Sequence, residues 1–75
     1  MLQQMMMKFD QMLDESENNL PMELEIHKMM MSYFKMKLAE AQAKSDIQMI
    51  NLIQELIDFQ AKMIKMTKEE IELLK

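Results

Sequence analysis

Leu38-Ala39-Glu40-Ala41-Gln42-Ala43-Lys44-Ser45-Asp46-Ile47-Gln48-Met49 joins the two longest apolar-periodic halves of the chain, and its reading decides the fold. Its first half is built from strong helix formers, and no Gly or Pro interrupts it. The apolar phase runs on through Leu38, Ala41, Ser45, Met49 and Leu52, as it would in one uninterrupted helix. Against this, Ser45-Asp46-Ile47-Gln48 has the form of a capping box, with Ser at the N-cap and Gln at the third helical position, which starts a new helix. The expectation is a turn near Lys44–Asp46 and an all-α antiparallel bundle of three helices. The alternative is one short helix followed by a single long one from Pro21 onward.

Working back from this stretch, apolar residues recur at steps of three and four, and no strand-like alternation persists. Between residues 21 and 44 two apolar stripes lie side by side. One runs through Leu24, His27, Met31, Phe34, Leu38 and Ala41, the other through Met22, Ile26, Met29, Tyr33 and Met36. An arc this wide needs more than one neighbour, so this helix is expected to be central. Pro21 suits a first helical position, and Leu20 before it is pushed toward extended backbone. The preceding segment, about 2–18, carries Leu2, Met6, Phe9 and Leu13 on one line, with Met5 and Met12 beside it. It fades at Asp14-Glu15-Ser16-Glu17-Asn18-Asn19, where Asn can take the left-handed conformation that closes a helix.

Working forward, residues 46–74 carry Ile50, Ile53, Ile57, Ile64, Ile71 and Leu74 beside Met49, Leu52, Leu56, Phe59, Met63, Met66 and Leu73. Asp58 and Lys62 stand at a spacing that lets them pair on the outside. Thr67-Lys68-Glu69-Glu70 also has capping-box form, but the apolar phase passes through it and the helix is expected to do the same. The whole chain reads as a single helical domain.

Composition narrows the chemistry. Seventy-five residues leave no room for a multidomain enzyme, and a chain this short seldom buries enough to stand alone. A net charge of −4 is opposite to the basic footprint that nucleic acid or an anionic membrane selects, so nucleic acid is not an expected partner. The longest unbroken Met runs are far shorter than the ~20 residues of a membrane span. Gln3, Gln4, Lys8 and Asp10 break up any signal-peptide core, and the expected location is cytoplasmic. With no Cys there is no thiol nucleophile or disulfide, and with no Gly there is no phosphate-cradling loop.

His27 is the only histidine, which removes a catalytic triad or a multi-histidine zinc site within one chain. Glu23 and His27 are four residues apart and would meet a metal only with help from elsewhere; a packed histidine is the expected role. Neither an enzyme nor a cofactor is expected. Thirteen methionines are the feature that exceeds background. Soft thioethers at Met5, Met6, Met7, Met12, Met29, Met30 and Met31 raise a Cu(I)-binding alternative. Unbranched, polarizable side chains also suit a plastic surface that accepts hydrophobic partners, or simple core filling.

The residue alphabet is reduced. Met, Leu, Ile and Phe supply 32 residues with T at the second codon base, and Gln, Lys, Asp, Glu, Asn, His and Tyr supply 34 with A; Gly, Cys, Trp, Arg and Val are absent. In this the chain resembles artificial binary-patterned helical-bundle proteins, in which polar and apolar codon sets specify a bundle by pattern alone. That resemblance implies a helical bundle with no selected catalytic site. The Asn18-Asn19-Leu20-Pro21 turn is similar to the helical hairpins of type III secretion needle and inner-rod subunits, which implies instead a small secretion-system or regulatory subunit. Both point to association rather than catalysis: a homodimer or higher oligomer, or another protein bound in a helical groove. The stripe expected to carry it is Ile26, Met29, Tyr33 and Met36, because the neighbouring Leu24–Phe34–Leu38 line is needed for packing within the chain. Tyr33 fits that role, its ring burying area while its hydroxyl stays wet.

Overall fold

A computed structural model describes residues 2–75 and is all-α: α1 Leu2–Glu15, α2 Leu20–Ala43 and α3 Ile47–Leu73. The three-helix expectation is met, and the continuous-helix alternative is not. The break is made by a residue other than the one the sequence indicates. Ser45 is not an N-cap; its φ of 55° places it in the left-handed region, where it ends α2. The Ser45 N–H donates to the Gln42 carbonyl at 3.1 Å and the Asp46 N–H to the Ala41 carbonyl at 3.0 Å, the paired bonds of a Schellman closure. Asp46 then caps α3, its Oδ1 accepting the Met49 N–H at 3.1 Å. A left-handed residue cannot take the extended geometry an N-cap needs, so the cap moves one position on, to an equally good capping residue.

The first turn behaves similarly. Asn18 is left-handed with φ 70°, as expected, but α1 ends at Glu15, about three residues early. Ser16 follows it, fully buried, its hydroxyl donating to the Leu13 carbonyl at 2.9 Å. Leu20 is helical rather than extended, and α2 starts one residue ahead of Pro21. Asn19 is the N-cap, accepting the Met22 N–H at 3.2 Å. Proline is accommodated at the second position because amide groups in the first turn lack helical partners in any case.

α2 and α3 form an antiparallel hairpin whose register follows from one pair. His27 Nδ1 lies 2.8 Å from Gln60 Oε1, both buried. One heptad toward the turn, Phe34 comes level with Ile53, exposed by 0% and 1%; one heptad away, Leu20 comes level with Thr67. Thr67 is buried in mid-helix, its Oγ1 donating to the Met63 carbonyl at 2.8 Å, and α3 passes through the Thr67 box as expected. Beyond Thr67, α3 has no α2 residue opposite it, which is why Leu73 and Leu74 are largely exposed despite belonging to the apolar stripes.

α1 folds back along α2. Phe9 is 1% exposed, and its ring meets Tyr33 edge-on with centroids 5.8 Å apart. Leu2, Met5, Met6, Met12 and Leu13 pack around the same core. Among the described residues no α1 Cα comes within 8 Å of an α3 Cα, so α2 is the central helix. Met30, which belongs to neither of the stripes drawn from the sequence, lies in the core with Ile26, Phe34, Ala41 and Ile53. Ion pairs contribute little: Glu25–Lys28, Lys37–Glu40 and Glu72–Lys75 are exposed i,i+3 contacts, and the expected Asp58–Lys62 contact is not closed.

Candidate protein-interaction surface

The stripe expected to bind a partner is divided by α1. Ile26, at 4% exposure, belongs to the core. Tyr33 is half-buried between Phe9 and Phe34, with edge-on ring contacts of 5.8 and 6.1 Å. Helical geometry explains the division. Ile26, Met30 and Tyr33 follow one another at steps of four and three and share the flank on which α1 lies. Met29 and Met36 stand farther round the helix and remain exposed by 50% and 51%. Met22, one heptad before Met29, is exposed by the same amount. The surviving surface on α2 is therefore the row Met22, Met29 and Met36.

Lys37 borders the Tyr33 side of this surface. Its Nζ donates to Glu40 Oε2 at 3.1 Å and sits 5.5 Å from the Tyr33 ring centroid. The hydrogen bond to Glu40 holds its pKa above the usual lysine value, so this edge of the surface stays cationic.

A second row lies on α3: Leu52, Phe59, Met66 and Leu73, each seven residues from the next and each about half exposed or more. The signal for it was present in the sequence, since these residues belong to the outer of the two apolar stripes on that helix. Which stripe turns inward was not legible, because Gln60 and Thr67, both polar, take the central seam positions. Their burial is accounted for by hydrogen bonds: Gln60 with His27 across the hairpin, and Thr67 to its own backbone.

Among the described residues no group of three or more His, Asp or Glu side chains converges. Phe9 against Tyr33 sets Met6 level with Met36, six residues and ~9 Å along the axis from Met30. The Met5–Met7 and Met29–Met31 runs therefore do not face one another, while Met12 comes level with Met30. Met30 is buried, whereas Met7 is mostly exposed. His27, the one nitrogen ligand, is bonded to Gln60. A cleft of about 310 Å³ opens where the start of α1 meets the α2–α3 turn, lined in part by Leu2, Lys37, Glu40, Lys44 and Asp46. Its wall is mixed, and of its charged side chains Lys37 and Glu40 pair with one another.

Among the described residues, no helix is long and apolar enough to cross a membrane. Comparison with protein-family models, curated proteins and solved structures finds no match to this chain.

Proposed function

We propose that this chain is a non-enzymatic, self-associating helical module that works by packing exposed apolar helix faces against a second helical surface, most directly another copy of itself. The observation that carries the reading is the surface it leaves uncovered. Its accessible area is 5618 Å² for a mass of 9.0 kDa. A compact monomer of that mass exposes about 4,850 Å². The excess, roughly 770 Å², accompanies an elongated 45 × 21 × 14 Å shape that leaves apolar side chains of α2 and α3 exposed. Much of it is ordered: the half-exposed rows on α2 and α3 repeat every seven residues, the period at which one helix face meets another. Methionine suits such a face because its unbranched side chain adapts to a partner's shape.

Light scattering across a concentration series tests the reading, together with thermal unfolding at each concentration. A dimeric or larger mass at micromolar chain, with a midpoint that rises with concentration, is expected. A monomeric mass with a concentration-independent midpoint refutes it. Met29→Lys, half exposed and outside the core, should leave the helical signal of the chain intact.

A further inference from the structure

We infer that the outer row of α3 is a homodimer seam in which two copies of α3 lie antiparallel about a two-fold axis level with the Ile57–Asp58 peptide bond. This rests on the self-association reading and assigns its face and orientation.

The seam is written in α3 itself. Leu52, Leu56, Phe59, Met63 and Met66 follow at alternating steps of four and three, the spacing of a coiled-coil contact line. Leu56 and Met63 form its half-buried inner edge; Leu52, Phe59 and Met66 stand outward at 47%, 56% and 52% exposure. The line is distinct from the Ile53–Gln60–Thr67 seam that α2 already covers. Among the described residues no α1 Cα comes within 8 Å of an α3 Cα, and Leu52, Phe59 and Met66 stay half exposed beside the shared core.

Charge selects the second copy and its direction. Along the solvent edge of the line run Gln48, Glu55, Lys62 and Glu69, again at heptad intervals. In an antiparallel pair, residues at this edge position face their own kind on the partner. Centring the two-fold between residues 57 and 58 sets Phe59 over the partner's Leu56 and Leu52 over the partner's Met63. It also places Glu55 across from the partner's Lys62, twice by symmetry, and leaves Glu69 facing the uncharged Gln48 of the partner. Sliding the register by one heptad toward the C-terminus instead sets Lys62 on Lys62 and Glu55 on Glu69. Sliding it the other way sets Glu55 on Glu55. Parallel pairing turns this edge toward the buried Ile53–Gln60–Thr67 row, where no opposite charge waits. Like charges across the contact disfavour the two shifted registers and the parallel pairing forgoes the Glu55–Lys62 attraction, so the edge residues favour one arrangement.

The test is a charge exchange on the full chain, read by sedimentation or light scattering at low salt with circular dichroism as the folding control. Glu55→Lys and Lys62→Glu, each alone, should raise the dimer dissociation constant on the order of tenfold, since each turns two attractive contacts repulsive. The double variant Glu55→Lys/Lys62→Glu should restore wild-type affinity. Phe59→Glu should give a helical monomer. A double variant as weak as the singles, or singles without effect, overturns the antiparallel assignment. A dimer that survives Phe59→Glu overturns the choice of face while leaving self-association standing. A wild-type chain that is monomeric throughout defeats both readings.

Discussion

Removing either partner of the buried His27–Gln60 pair should cost more than removing both. The two side chains are 5% and 4% exposed, and their atoms meet at 2.8 Å across the hairpin, 33 residues apart in sequence. His27→Leu leaves the Gln60 amide buried without its partner, and Gln60→Leu does the same to the imidazole. An orphaned buried polar group costs about 1–3 kcal/mol, partly offset here by the added apolar surface. With both replaced, no orphan remains and two leucines occupy a heptad layer beside Phe34 and Ile53. The double variant should therefore be at least as stable as the original chain, and the coupling energy of the cycle should reach about 1–3 kcal/mol. Chemical denaturation by circular dichroism, at one fixed chain concentration because association contributes to stability, measures all four corners. A cycle that closes additively, within ~0.3–0.5 kcal/mol, would show that the two groups do not depend on one another, and the register argument would fall with it. A further consequence concerns uniqueness: apolar layers permit neighbouring registers, so the Leu/Leu hairpin should lose chemical-shift dispersion relative to the original.

Two other substitutions probe separate parts of the argument. Ser45→Gly removes the steric cost of a left-handed φ of 55°, ~1–2 kcal/mol, against the ~0.5–1 kcal/mol that glycine's extra unfolded freedom costs; a net gain of about 0.5–1 kcal/mol, seen as a higher midpoint, is expected, and a loss would mean that the left-handed closure is not what ends α2. Phe34→Ala empties a fully buried site at the centre of the hairpin and should cost ~3–5 kcal/mol, so helicity at 25 °C should fall sharply; a variant that stays fully helical at dilute concentration would place Phe34 outside the core.

The helical class of the chain was determined by sequence alone, because a three-to-four-residue apolar period without strand alternation leaves no other way to bury these side chains. The positions of both turns were also legible to within three residues, since Asn, Pro, Ser and Asp each restrict the backbone locally. What escaped the sequence was which residue performs which part of a turn. Ser45 and Asp46 are both good caps, and only the hydrogen bonds back to Ala41 and Gln42 assign one to closing α2 and the other to opening α3. The inward face of each helix was decided by tertiary structure. α2 and α3 are apolar over so wide an arc that several rotations bury similar area, and hydrophobicity cannot choose among them. The choice falls to polar groups that need partners. His27 finds Gln60, and that bond turns both helices so that Met30 and Ile53 enter the core; α1, laid along α2, then takes Ile26 and Tyr33 from the expected interaction stripe. Burial is additive and nearly indifferent to rotation, whereas a hydrogen bond between two buried side chains is satisfied in only one register.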